Sequence, residues 1–335
     1  MKTKTLALLL ALVILATPSL GKITGYLSSN FVKSQEQGEF PKGTFTNPLF
    51  GLIFSGDISP NINYEAEFRI TDITQVEIDQ AWIGLGTSEA FQLKLGLYLV
   101  PFGRYNQINR PHQTSLINPP LHVEFCYPHR WRDIGILVEG RFSGFFYSGY
   151  IGNGLCEGQD LRDGQQFEDN NKDKGKGGRF GLSLGQGVEM AYSIYNGKYD
   201  DENSRNLILH GVDLTWMTQD WKVFAEYTKD IISNPDGFEQ GDAEGYFVEL
   251  SLNFGNFIPL ASYQKLKYTD PYHGPGFIGD QEAGGGISID RSRWALGLIY
   301  IPVQNVFFSL EYDFNREEGD TKKDDLWAVR VALSF

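Results

Sequence analysis

The sequence predicts an all-β fold, a sixteen-stranded antiparallel β-barrel in one domain, with strands that meet water on one face and a nonpolar medium on the other. Three observations predict it. Apolar residues recur at every second position in segment after segment from residue 22 onward, Gly, Pro, Asn and Asp clusters separate the segments, and the connections alternate between short and long. Composition agrees: 38 of 335 residues are Gly and 14% are aromatic, yet only 41% are hydrophobic and these are spread thinly instead of gathering into helical faces. A strand with one wet and one apolar face has such a balance.

The chain opens with Lys2 and Lys4, an apolar run from Leu6 to Ala16, and the small-residue exit Thr17-Pro18-Ser19-Leu20-Gly21. This is the layout of a secretory signal peptide, so residues 1–21 are expected to be removed and the mature chain to begin at Lys22. The run is too short to cross a bilayer as a helix, and no later stretch reaches the roughly 18–20 apolar residues that a helix needs. No Cys follows the expected cut, so a lipid anchor there has no support.

Sixteen segments follow, near 22–32, 49–58, 62–72, 75–86, 91–100, 131–142, 145–154, 178–186, 188–199, 206–217, 221–231, 243–254, 257–269, 290–301, 305–315 and 324–335. In the third, Ile62, Tyr64, Ala66, Phe68 and Ile70 share one face, and Asn63, Glu65, Glu67, Arg69 and Thr71 share the other. That second face reads as water-filled space. Phe91 to Leu99, Tyr246 to Phe254 and Val306 to Phe314 repeat the pattern, with Glu249, Glu311 and Asp313 on polar sides. Two segments alternate imperfectly: Val76 to Gly86, where a bulge after Asp79 is expected to switch faces, and Asn206 to Met217, where His210 falls on the apolar side. The last segment alternates Trp327, Val329, Val331, Leu333 and Phe335 with Ala328, Arg330, Ala332 and Ser334.

Connection lengths test the strand count independently. Ser59 to Asn61, Thr87 to Ala90, Ser143-Gly144, Gly185 to Gly187, Thr218 to Asp220, Gly255-Asn256 and Pro302 to Gln304 are tight turns and fall on one rim. The long connections 33–48, 101–130, 155–177, 232–242, 270–289 and 316–323 fall on the other. An odd count would break that parity, and short periplasmic turns opposite long extracellular loops are the signature of an outer-membrane barrel. Aromatics mark two expected girdles: Phe142, Phe145, Trp216, Trp221, Phe254, Phe257 and Phe335 beside the turns, and Trp131, Tyr227, Tyr246, Trp294 and Trp327 near the loop ends.

Several stretches resemble bacterial outer-membrane porins of the sixteen-stranded type, and locally their phosphate-selective porin O and P relatives. They are Gly96 to Arg104 (GLYLVPFGR), Trp131 to Ile136 (WRDIGI), and Asn153-Gly154 with the later Asp169-Asn170-Asn171-Lys172 and Gly178-Arg179. The closing strand, which ends on an aromatic, resembles those of outer-membrane barrels. The resemblance implies a bacterial outer-membrane location, contact with membrane lipid and lipopolysaccharide, a homotrimer, no cofactor, and a third long loop that folds inward and narrows the pore.

That loop, 101–130, together with Trp131 and Arg132, carries Arg104, Arg110, Arg130 and Arg132 against Glu124 alone, plus His112, His122 and His129. The mature chain is the reverse, with 27 basic and 42 acidic residues once Lys2 and Lys4 are gone. Alternation places Glu65, Glu67, Arg69, Lys94, Asp133, Glu139, Arg141, Lys222, Glu226, Glu249, Arg293, Glu311, Asp313 and Arg330 on the lumen face. Charges at a narrow point select ions because little water remains to screen them. The expectation is a basic wall facing an acidic one and a passive channel for small hydrophilic solutes and ions, with a mild anion preference. The alternatives are an oxyanion-type specific channel and a non-conducting structural or adhesive barrel.

Cys126 in this loop and Cys156 in the next form a possible disulfide, as exported thiols often oxidise. Asp169, Asn171 and Asp173 have the oxygen spacing of a calcium loop, but Lys174 stands where that loop needs Gly and Phe180 where it needs Glu, so a solvated loop is expected. No catalytic constellation is evident: His210 is the only strand histidine. A pI near 4.9 gives nucleic-acid binding no support. Energy-coupled transporters need larger barrels and a plug domain.

Overall fold

The computed structural model describes residues 21–71, 75–158, 161–233, 242–268, 290–319 and 322–335. The expected signal peptide and most of the expected loops 232–242 and 270–289 lie outside the described residues. Sixteen strands form one closed sheet in which each pairs antiparallel with its sequence neighbours and the last pairs with the first. They are β1 (Lys22–Ser34), β2 (Thr44–Ser59), β3 (Ile62–Thr71), β4 (Gln75–Ser88), β5 (Phe91–Leu99), β6 (Arg132–Phe142), β7 (Phe145–Gly152) and β8 (Gly175–Leu184). Then follow β9 (Val188–Lys198), β10 (Asn206–Met217), β11 (Trp221–Ile232), β12 (Ala243–Leu252), β13 (Phe257–Tyr268), β14 (Arg291–Tyr300), β15 (Val306–Glu317) and β16 (Leu326–Ser334).

Closure satisfies the backbone on both edges, as a barrel in lipid requires. Phe31 stands opposite Val329 and Asn30 opposite Arg330, and Phe335 exchanges two 2.9 Å backbone hydrogen bonds with Gly25. Side chains alternate across the wall: Phe224, Glu226, Thr228 and Asp230 of β11 are buried inside, and Val248, Leu250, Leu296, Leu298 and Leu310 face outward. No helix among the described residues is long and apolar enough to cross a membrane.

Turn chemistry sets the short rim. Ser143 and Gly144 both have positive φ, 47° and 83°, the mirror-image turn whose twist matches two antiparallel strands. The bulge in β4 lies at Asp79: Glu67 pairs with Gln80 and Phe68 with Ile78, which leaves Asp79 unopposed. Asp79 and Gln80 therefore both point inward.

Most strand ends lie within a residue or two of the sequence expectation, and two strand starts differ by more. β2 begins at Thr44, not near 49, because an irregularity between Ser28 and Asn30 lets the strand absorb Asn47 (φ 51°) and Pro48 and continue to Phe45, opposite Phe31. β8 begins at Gly175, where the glycines of Gly175 to Gly178 gave no alternation to read.

Trp131 also departs from its expected place. It is fully buried inside the barrel, 4.9 Å from the Tyr195 ring, not in the girdle. The reason is the third loop, which carries an apolar cluster into the lumen.

Candidate functional site

The third loop, residues 100–131, leaves β5 and folds inward against the opposite wall. Its entry depends on Gly103, which has φ +63° and lies so close to Glu226 of β11 that any Cβ would collide with the carboxylate. Asn106 ties the two ends of the loop together, donating to the carbonyls of Val100 (2.8 Å) and Trp131 (3.0 Å) and accepting from Trp131 N–H (2.8 Å). Asp133 accepts from the N–H groups of Ile134, Asn153 and Gly154, which joins the start of β6 to the end of β7. The porin-like stretches Val100 to Arg104, Trp131 to Asp133 and Asn153-Gly154 are thus joints of the fold.

Glu226 is the main anchor. Fully buried, it accepts from the backbone N–H of Arg104 (2.9 Å) and Tyr105 (3.0 Å) and from the Tyr127 hydroxyl (3.1 Å), and His122 Nε2 lies 3.1 Å away. A short helix, α1 (Leu121–Phe125), then packs on β12, β13 and β14. Phe102, Tyr105, Tyr127 and Trp131 join Tyr195, Phe224 and Phe247 of the wall in one buried cluster. The part of the lumen between this stretch of the loop and the wall is therefore filled by apolar side chains, where sequence alternation alone implied water throughout. The apolar cover comes from a distant stretch of chain that alternation cannot position.

The rest of the loop hangs on charged wall residues. Glu311 of β15 accepts from Ile117 N–H (2.7 Å) and Asn118 N–H (3.1 Å), and Asp313 accepts from Asn118 Nδ2 (2.8 Å). Arg330 of β16 donates to the carbonyls of Thr114 and Leu116, Arg293 of β14 to that of Pro119. Arg293 also lies 3.5 Å from Glu124. Lys222 reaches Ser115 and lies 3.4 Å from Glu249.

Across the lumen, Arg110 makes a two-pronged contact with Glu67 of β3 (3.0 and 2.6 Å), and Tyr26 donates to the same carboxylate at 2.7 Å. Arg130 bonds Asp79, Arg132 bonds Asp79 (3.0 Å), and Arg69 bonds Glu77 (2.7 Å). Four guanidinium groups therefore share three carboxylates. This corrects the expected basic wall facing an acidic wall. Arg110, Arg130 and Arg132 pair with acids on β3 and β4, and Glu226 of β11 and Glu311 and Asp313 of β15 are occupied by loop N–H groups. A buried carboxylate left without donors would cost several kcal/mol, about 3–5 when one partner of a buried pair is lost.

Among the loop arginines Arg104 keeps the most freedom, with 39% of its side chain exposed and Glu189 at 3.9 Å. It lines a cavity of about 460 Å³ on the short-turn side with Arg141, Arg179 and Glu189. An adjoining cavity of about 350 Å³ holds Glu65, Gln80, Lys94, Arg110 and Glu139, with Lys94 and Glu139 paired at 2.7 Å. On the loop side of the Tyr26–Glu67–Arg110 layer, a third cavity of about 460 Å³ is lined by Asn30, Arg69, Glu77, Tyr105, Arg130 and Arg330. Arg130 Nε and Arg330 Nε are buried there with no hydrogen-bond partner among the described residues.

Sequence reasoning missed Glu77, Asp79, Arg179 and Asp213 as lumen charges, although Arg179 and Asp213 form a buried pair at 2.6 Å. For Asp79 a signal existed, since a charged residue at a predicted bulge has to be turned to one side. The expected bridge is corrected: Cys126 and Cys156 are free thiols. Cys126 is buried in the loop cluster next to Asp230 of β11, and Cys156 binds Gly164 within its own loop. Asp169, Asn171 and Asp173 turn their oxygens to Lys174 and to backbone N–H groups of Asn171, Asp173 and Lys198. No group of three or more metal-ligating side chains occurs among the described residues.

Comparison with solved structures shows the fold. The anion-selective porin from Comamonas acidovorans superposes with a TM-score of 0.68 at 11% identity, covering 94% of this chain and 99% of that one. OmpF of Salmonella typhi, solved with daunomycin, gives 0.66 at 16% identity, covering 94% and 97%. The trimer form of OmpT, an outer membrane protein of Vibrio cholerae, gives 0.67 at 9%, covering 94% and 99%. The chain has the fold of the outer-membrane porin barrels. No family model matches it. An uncharacterised protein of Aquifex aeolicus is 22% identical over 190 residues, 52% of this chain and 44% of that protein, so the match spans less than half the relative's length.

Proposed function

We propose that the chain is a passive diffusion pore of the bacterial outer membrane, exported with removal of residues 1–21, which passes small hydrophilic solutes and ions with a mild anion preference. The observation that carries this reading is the pair of polar, charge-lined spaces on either side of the Tyr26–Glu67–Arg110 layer. A structural barrel would have a lumen filled by side chains, whereas sixteen strands leave room for an aqueous channel. The anion preference follows from the charge surplus near the narrowing: Arg69, Arg110, Arg130 and Arg132 face Glu67, Glu77 and Asp79, and Arg330 adds a further cation beside the loop-side cavity. Assembly as a homotrimer is part of the proposal, supported by the trimer form of the Vibrio barrel.

Single-channel recording of the refolded protein in a planar bilayer under a salt gradient tests both parts. Stable steps with a reversal potential of anion sign are expected. A folded barrel that stays silent overturns the pore, and a potential of cation sign overturns the preference.

The oxyanion-specific reading is favoured by the unpartnered Nε groups of Arg130 and Arg330 beside the loop-side cavity. It requires conductance in chloride to fall saturably as phosphate is added. A linear response removes it.

A further inference from the structure

The cavity on the loop side of the Tyr26–Glu67–Arg110 layer, about 460 Å³, is lined by more unsatisfied donors than acceptors. Among the described residues, four buried nitrogens of its lining residues have no hydrogen-bond partner, Arg69 Nε, Asn109 Nδ2, Arg130 Nε and Arg330 Nε, against one buried acceptor, Asn30 Oδ1. Such a surplus suits a ligand that brings acceptors. Arg69 and Arg130 already face carboxylates, those of Glu77 and Asp79. Arg330 differs from both. It is only 4% exposed, its Nη1 donates to Thr114 Oγ1 and the Leu116 carbonyl, and its Nη2 donates once, to the Thr114 carbonyl. Glu311 of β15, two residues on from its register partner Ser309, is occupied by the N–H groups of Ile117 and Asn118. All three bonds of Arg330 thus go to neutral oxygens, and a buried charge without a counter-ion is costly.

The edge of the Arg330 guanidinium that remains is the one formed by Nε–H and the second N–H of Nη2. Elsewhere in the lumen that edge holds a carboxylate. Arg110 donates through Nε and Nη2 to Glu67 (3.0 and 2.6 Å), and Arg179 donates through the same two atoms to Asp213 (2.9 and 2.6 Å). A fork of this geometry matches the two oxygens of a carboxylate. The rest of the cavity is of the opposite character, because Pro48, Leu49, Pro111, Ile117 and Pro119 line it as well. An inorganic ion gains nothing from those side chains, whereas an apolar body attached to a carboxylate is taken out of water by them.

We propose that the loop-side cavity is a binding site for small organic carboxylates with an apolar body, the carboxylate on the Nε and Nη2 edge of Arg330 and the body against Leu49, Ile117 and the three prolines. The site lies where the sheet closes, with Asn30 of β1 opposite Arg330 of β16, and Arg330 takes no part in the pairs that occupy Glu67, Glu77 and Asp79. The cavity volume falls in the usual range for a small-molecule site. The inference rests on the reading of the lumen as open to small anions, and it names the anion that the cavity prefers: one with an apolar side, ahead of phosphate or chloride.

Isothermal titration calorimetry of the full refolded chain in detergent, with benzoate, acetate and phosphate as probes, tests the site without a bilayer. Folding is checked by heat-dependent electrophoretic mobility. Benzoate should bind roughly tenfold more tightly than acetate, the gain expected from burying a ring, and more tightly than phosphate. Leu49→Asn, which leaves the fastenings of the loop untouched, should bring benzoate close to acetate, and Arg330→Gln should weaken both carboxylates. Phosphate or acetate bound as tightly as benzoate by the wild type, which needs no variant, overturns the proposal. So does folded Leu49→Asn or Arg330→Gln protein that binds benzoate like the wild type. In the planar bilayer, benzoate should lower the chloride current saturably. A barrel that binds benzoate but stays silent in the bilayer refutes the pore and leaves this site standing, whereas a conducting barrel that binds none of the probes refutes the site and leaves the pore.

Discussion

Glu67 has no exposed side-chain surface and is held by Arg110, Arg130 and Tyr26. Arg110→Ala removes the two-pronged partner and leaves the other two. The loss should be about 1–3 kcal/mol, less than for a dry pair because Arg110 borders an aqueous cavity. The urea midpoint of the refolded protein checks it, and the reversal potential should move toward cations because a positive charge has been deleted. His112 packs on Tyr26 with ring centroids 5.3 Å apart. Burial, then the adjacent Arg110 charge, pushes its imidazole from 6.5 down to about 4. As pH falls from 6.5 toward 4 the unfolded chain binds a proton here that the folded chain refuses, so stability declines through that window and levels off below it. His112→Gln should show a smaller drop in urea midpoint between pH 7 and pH 5 than the wild type. An equal drop removes His112 as the cause.

At the scale of elements, the third loop is fastened by backbone N–H groups to two carboxylates, Glu226 and Glu311, as well as by Arg110 and Arg130. Glu226→Gln keeps the shape and weakens four contacts to a buried acceptor. The barrel should still fold, since its ladder does not use this side chain, but single-channel current should become noisier as the loop works loose. Unchanged noise would place the hold elsewhere. Thiol chemistry reports the same packing: burial pushes the Cys126 thiol well up, and Cys156 is only half-buried. Maleimide should label Cys156 alone in the folded protein and both thiols after unreduced denaturation. A protein that labels at neither site when denatured would restore the bridge.

For the whole molecule, closure is the condition of stability. β16 pairs with both β1 and β15, so its removal exposes two edges that lipid cannot satisfy. Truncation after Asp325 should abolish the heat-modifiable folded band, where an open sheet in water would lose only part of its stability.

What the sequence determined is the wall. Strand number, sidedness, short rim, bulge and outward apolar face all follow from period-two alternation and turn residues, which are local properties of a pleated chain. The bulge at Asp79 and the parity of the turns were readable for that reason, although the inward turn of the Asp79 carboxylate was not read. The strand starts at Thr44 and Gly175 were not, because a bulge and a glycine run erase the alternation. What only the tertiary structure decided is the interior: that Trp131 points in, that Arg110 meets Glu67, that Cys126 and Cys156 stay apart, and that an apolar cluster of loop and wall fills part of the lumen. Those contacts join residues 40 to nearly 200 positions apart through a loop without a repeating pattern. Their partners are set by where the closed barrel puts the far wall, which no local spacing encodes.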